Sequence, residues 1–236
     1  MRNKGENKKI GIIGGVGPQA TGVLYSQIIR LAADMYGASN NNDFPYVVIE
    51  SVPIPDFISD VRQLQTAKKM LQKSVKNLEA VGATVLAIAS NTVHLLLNDL
   101  KKTTNLPFIS MPDEVVKKCA IKKYKRVGIL ASPTSIRLGL YDEKLRNEGI
   151  ELIKPRQSEE VIIEKMIRHY IGDKSNGEFR NEYIKVLTSL FERNCEAVIL
   201  GCTELPLVIN YEALGDKVID SSEVLAGALV NYYYQN

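Results

Sequence analysis

A chain of 236 residues has room for one large α/β domain or two small ones. At 45% hydrophobic and 24% charged, it has the balance of a globular protein, which argues against a fibrous or disordered chain. A net charge of +3, with lysines in short clusters such as Lys122-Lys123-Tyr124-Lys125, leaves no basic stripe interleaved with aromatics and argues against a nucleic-acid partner.

The opening Met-Arg-Asn-Lys-Gly-Glu-Asn-Lys-Lys is polar and lacks the apolar stretch of a signal peptide. No apolar run approaches the ~20 residues that cross a bilayer, so a cytoplasmic protein without a membrane partner is expected. Cys119, Cys195 and Cys202 form neither an even set nor a C-x-x-C pair, which argues against a disulfide framework or a zinc site.

In chain order, the short apolar runs predict strands at Ile10–Ile13, Tyr46–Glu50, Thr84–Ala89, Pro107–Ser110, Arg126–Leu130, Glu151–Ile153, Ala197–Leu200 and Lys217–Ile219. Amphipathic stretches predict helices over Thr21–Met35, Val61–Val81, Ser135–Glu148, Glu159–Tyr170, Glu178–Arg193 and Ser222–Tyr234. Strands apolar on both faces and separated by helices are the pattern of a covered parallel sheet.

The chain also repeats itself. Lys9-Ile-Gly-Ile-Ile-Gly14 resembles Arg126-Val-Gly-Ile-Leu-Ala131 at an offset of 117, and Ala87-Ile-Ala-Ser-Asn91 resembles Ile199-Leu-Gly-Cys-Thr203 at an offset of 112. Two similar parallel-sheet α/β lobes related by pseudo-symmetry are therefore expected. The first would span residues 1–112 and 215–236, the second 113–214. Ligands of parallel sheets bind at the carboxyl ends of strands. The turns after Ile13, Ala89, Leu130 and Leu200 would then surround one cleft between the lobes.

Four turns carry the chemistry. Gly15, Gly17 and Ala20 fit the dinucleotide pattern after a strand, but Pro18 removes an amide and Glu50 lies 30 residues beyond Ala20, further than the usual ~20. The same loop can hold a small carboxylate on its bare amides. Ser90-Asn91-Thr92-Val93-His94 is a polar turn at the end of a buried strand; it reads equally as a helix cap, and His94 could touch the cleft. Ala131-Ser-Pro-Thr-Ser135 offers hydroxyls and amides to an anion. Gly201-Cys202-Thr203-Glu204-Leu205-Pro206 places a thiol at a strand end, where a following helix start would make it more acidic than a free thiol. Cys119 and Cys195 read as small buried hydrophobes, and His169 lies on an amphipathic helix with no partner in view.

These segments resemble one known family. Gly11-Ile-Ile-Gly-Gly-Val-Gly-Pro-Gln-Ala-Thr21 is similar to the opening of the aspartate/glutamate racemases, as is Leu130-Ala-Ser-Pro-Thr-Ser135 running on to Gly139-Leu-Tyr141 and Gly149-Ile-Glu151. Ser90-Asn-Thr-Val-His94 resembles the family's Cys-Asn-Thr-x-His, and Gly201-Cys-Thr-Glu204 its Gly-Cys-Thr-Glu. The resemblance implies racemisation or epimerisation of an acidic amino acid without pyridoxal phosphate or another cofactor, in a homodimer. One cysteine would remove the α-proton and a second would return one to the opposite face. It implies Cys202 and Ser90 as the catalytic pair, with Gly15, Asn91, Thr92, Thr134, Ser135, Thr203 and Glu204 as substrate-binding residues.

Two departures stand out. The family's first cysteine is Ser90 here, and a serine hydroxyl is too weak an acid to act as an anionic base near neutral pH. An engineered Cys→Ser exchange, a natural one-thiol racemase, and a one-cysteine decarboxylase or cis–trans isomerase acting on a dicarboxylate all fit. So does a small-molecule-binding protein that has lost its first thiol. Phe57 stands where the family often carries an arginine for the side-chain carboxylate, and Arg62 or another cation would have to compensate.

Overall fold

The structure is a computed structural model, and it describes residues 8–55, 61–171, 178–208 and 211–235. Phe57 lies outside the described residues. Eight strands form two four-stranded, all-parallel sheets, giving the expected α/β fold of two lobes. The first sheet contains β1 (Ile10–Gly14), β2 (Val47–Ser51), β3 (Val85–Ile88) and β4 (Phe108–Ile109), in the order β2-β1-β3-β4. The second contains β5 (Arg126–Ala131), β6 (Glu151–Ile153), β7 (Ala197–Gly201) and β8 (Val218–Asp220), in the order β6-β5-β7-β8. The two orders are the same once the second set is renumbered. β1 corresponds to β5 and β3 to β7, so the repeat read in the sequence is a repeat of architecture.

Nine α-helices are described: α1 (Pro18–Tyr36), α2 (Leu64–Ala80), α3 (Leu97–Lys101), α4 (Met111–Ile121), α5 (Pro133–Arg137), α6 (Asp142–Asn147), α7 (Gln157–Ile171), α8 (Arg180–Glu192) and α9 (Ser221–Gln235). None is long and apolar enough to cross a membrane. α1 begins with Pro18 at its first position, where a missing amide costs nothing, and ends at Gly37 in the left-handed conformation. The predicted helix Ser135–Glu148 is two short helices. Gly139, at φ +66°, breaks them apart, and Ser132 caps α5 by accepting from the amide of Ser135.

Alternate residues of each central strand feed two different cores, the period-2 signature of a strand buried on both faces. Ile10, Ile12, Val85 and Ala87 pack under α1 and α9, while Ile13, Leu86 and Ile88 pack under α2. In the second sheet Val127, Ile129, Ala197 and Ile199 face α4 and α6, and Leu130, Val198 and Leu200 face α7 and α8. α9 returns to the first lobe through Leu225, Ala226, Leu229 and Val230. β8 pairs with β7, so the second sheet extends through Asp220. The chain crosses back at α9, a few residues later than the division at 215 expected from the sequence.

Candidate active site

The turns after β3 and β7 occupy equivalent places in the two lobes, and each carries one of the expected catalytic positions. Ser90 follows β3 and Cys202 follows β7, and both line one cavity of ≈ 260 Å³ together with the glycine-rich loop at Gly15 and Gly17. That volume is below the ~300–1,000 Å³ of sites for drug-sized ligands and suits a small molecule.

Ser90 is held from behind. Its carbonyl lies 2.7 Å from Nδ1 of His94, and Nε2 of the same ring accepts the Met111 amide at 3.1 Å. Because Nε2 is an acceptor, Nδ1 must carry the proton and donate to Ser90, so the ring is neutral and its tautomer is set by the backbone. Burial pushes its pKa down to about 4. The sequence left His94 free to touch the cleft. Both its nitrogens are instead spent on the main chain, and it does not line the cavity.

Cys202 is the buried thiol of the site, 7% exposed. Its Sγ donates to Oε2 of Glu204 at 3.0 Å, and Thr203 Oγ1 donates to the same oxygen at 3.3 Å. The other carboxylate oxygen accepts the Gly17 amide at 3.4 Å, which joins the second lobe's turn to the first lobe's loop. The expected acidification of Cys202 is overturned. Burial raises its pKa well above the ordinary thiol value, and the Glu204 charge and hydrogen bond raise it further. The next regular element after the thiol is a three-residue 3₁₀ turn, Leu205–Leu207, too short for a helix dipole to outweigh a carboxylate 3.0 Å away. The resting arrangement is a neutral thiol hydrogen-bonded to a carboxylate, a ready proton donor with its base already in contact.

The glycine loop is shaped by these contacts. A side chain at Gly17 would place its Cβ 2.7 Å from Glu204 Oε1, and one at Gly15 would lie 2.5 Å from the Val52 amide nitrogen. Gly15, at φ +90°, gives its amide to Thr21 Oγ1 at 3.0 Å, so it lines the cavity with that donor already used. With Glu204 set against the loop, a pyrophosphate there would meet like charge, which disfavours the dinucleotide reading.

Asn91 and Thr92 line the cavity and are tied across the lobes. Thr92 Oγ1 lies 2.9 Å from Ser132 Oγ and accepts from Ser135 Oγ at 3.2 Å. Ser135 therefore sits behind Thr92, and Thr134 is fully buried; neither is on the cavity lining. Thr203 is on it, with its hydroxyl turned to Glu204. Cys119 and Cys195 are buried in cores, where desolvation pushes their thiols up, to about 12 for Cys119. His169 has partners, its ring edge-on to Tyr170 and Phe179 and 3.9 Å from Glu178.

Sequence reasoning predicts the helix α7, as Glu159–Tyr170, but not its place at the cavity. Ile167, Arg168 and Ile171 from it line the cavity together with Val16, Pro18 and Ile54. Arg168 pairs with Glu164 one turn earlier at 2.9 Å, so in the sequence it reads as a surface ion pair; only the packing of α7 over the cleft makes it a wall residue.

The family model described as Asp/Glu/Hydantoin racemase matches residues 13–229. The chain belongs to that family. By class it is therefore an isomerase of the racemase kind. It is 25% identical over 95% of its length to the broad specificity amino-acid racemase RacX of Bacillus subtilis (strain 168), covering 97% of that protein. Its fold matches the crystal structure of an aspartate racemase homologue from Pyrococcus horikoshii OT3 with TM-score 0.79 and 28% identity, over 96% of this chain and 99% of the other. It matches the Picrophilus torridus aspartate racemase with TM-score 0.80 and 28% identity, over 96% and 94%.

Proposed function

We propose that this protein racemises or epimerises an amino acid of the aspartate/glutamate class, without a cofactor, by moving the α-proton through Cys202. The observation that carries the reading is the contact of the Cys202 thiol with the Glu204 carboxylate on a cavity that Ser90 also lines. A neutral thiol beside a carboxylate can give a proton to a carbanion at Cα, and Glu204 can take the thiol proton as Cys202 removes one, so the pair works in both directions. Asn91 supplies an amide hydrogen that stabilises an enolate-like α-carboxylate, and Thr92 and Thr203 add hydroxyls once these turn from Ser132 and Glu204 toward the substrate. Ser90 takes the place of the second thiol. On that face an alcohol cannot remove a proton as a thiolate does, so the protein works from the Cys202 face and completes inversion slowly.

Arg168 supports an acidic substrate, since it lines the cavity and its guanidinium, paired with Glu164 in the resting state, is within a side chain's swing of a bound side-chain carboxylate. The kinship with aspartate racemases points the same way. The test is chiral chromatography of both hands of a panel of amino acids after incubation with wild type and with Ser90→Cys. Faster two-way racemisation of aspartate or glutamate by Ser90→Cys supports the reading. No inversion of any amino acid by either protein overturns it.

A further inference from the structure

Asn91 is gripped on both sides of its amide by the other half of the site. Tyr141, 1% exposed and carried on the loop between α5 and α6, donates its hydroxyl to Asn91 Oδ1 at 2.5 Å. Asn91 Nδ2 donates to Ser221 Oγ at 2.8 Å, and Ser221 in turn donates to the carbonyl of Leu200 at 2.7 Å. The hydrogens leave one self-consistent assignment. Ser221 spends its own hydrogen on Leu200, so it must accept from Asn91, and the amide can face only one way. Asn91 lies next to Ser90, and Leu200 lies two residues before Cys202. Two buried hydrogen bonds in series thus run from the turn holding Ser90 to the strand end holding Cys202, and Tyr141 anchors their first member.

Resting on the racemase reading above, we propose that Tyr141 and Ser221 are positioning residues for the reaction: through Asn91 they brace the two catalytic turns at a fixed separation. A proton taken at one face of Cα and returned at the other needs that separation held closely, and a misplacement of 1 Å costs ~10²-fold in rate. The brace also orients Asn91 for the substrate. The Tyr141 hydroxyl pulls on Oδ1 and makes the amide hydrogens better donors, and the second Nδ2 hydrogen has no acceptor among the described residues. Both side chains are buried and do not line the cavity, so they act through Asn91 and not on substrate.

The experiment is a double-mutant cycle on α-proton exchange with Tyr141→Phe and Asn91→Ala. Tyr141→Phe keeps the ring in its core and removes only the donor. It should lower kcat by ~10-fold or more with KM nearly unchanged, and should cost less than ~2-fold once Asn91 is alanine, because both act through one amide. Losses that multiply independently, or full kcat in Tyr141→Phe, overturn the proposal; if that variant does not fold, Ser221→Ala takes its place in the cycle. Iodoacetamide labelling of Cys202, read by peptide mass spectrometry against Cys195, gives a measure free of turnover. Ser221→Ala should label Cys202 several-fold faster as the strand end loosens, and an unchanged rate overturns the brace. A wild type that exchanges no α-proton, beside faster labelling in Ser221→Ala, removes the racemase reading and leaves the brace standing.

Discussion

Glu204→Gln should make Cys202 more reactive and the enzyme less active. The carboxylate oxygen lies 3.0 Å from Sγ, so at an effective dielectric of ~20 its charge opposes thiolate formation by roughly 5 kcal/mol. Taking about half of that, because the charge is shared by two oxygens and the site relaxes, the neutral amide should raise the thiolate fraction ~10²-fold below the thiol's titration. The glutamine amide can also donate to the thiolate, which acts in the same direction. Iodoacetamide labelling of Cys202, tracked by peptide mass spectrometry from neutral to alkaline pH, should therefore speed up by about that factor. Loss of the general base should lower α-proton exchange by ~10² or more in the same protein. Labelling at the wild-type rate, or exchange that survives the substitution, would refute the coupling of Glu204 to the thiol.

Arg168→Ala should raise KM for aspartate and glutamate by ~10-fold, as expected for a half-exposed charge-assisted contact, and leave KM for neutral amino acids unchanged; equal effects on both classes would remove Arg168 from the side-chain site. Stability should fall in acid through His94. Its pKa is depressed from 6.5 to about 4 in the fold, so below pH 6.5 the unfolded chain takes up a proton that the folded chain refuses. The stability present above 6.5 should be lost as pH drops toward 4, by roughly 3 kcal/mol. Urea unfolding across that range should show this slope, and His94→Asn should abolish it. Gly17→Ala, whose Cβ would lie 2.7 Å from Glu204 Oε1, should displace that carboxylate and lower exchange while leaving Tm close to wild type; unaltered exchange would mean that the loop does not position Glu204.

Much of the fold is legible in the sequence. The eight strands fall within a residue or two of the apolar runs, most sharply at the central β1, β3, β5 and β7, whose burial on both faces leaves little room for polar residues. The pairing of Ser90 with Cys202 comes from the repeat and from the rule that sites lie at strand ends. The features that stay hidden depend on packing between distant segments. Cys202 reads as an acidified thiol from its place after a strand, yet the side chain two residues on folds back and holds its proton. Tyr141 enters the sequence only as the end of Gly139-Leu-Tyr141, and its hydroxyl's partner lies 50 residues away in the chain. Arg168 looks like the outer half of a helical ion pair until α7 is laid over the cleft. The break at Gly139 is visible as a glycine but is masked by the apolar residues on either side of it, which keep a helical spacing.

The most direct test of Cys202 as the proton carrier is deuterium wash-in at Cα, monitored by proton NMR for L- and D-aspartate and glutamate with wild type and Cys202→Ala. Wild type should exchange one enantiomer faster than it inverts it, and Cys202→Ala should exchange neither. Wash-in that persists in Cys202→Ala would show that another group moves the proton, and the role given to this thiol would be wrong.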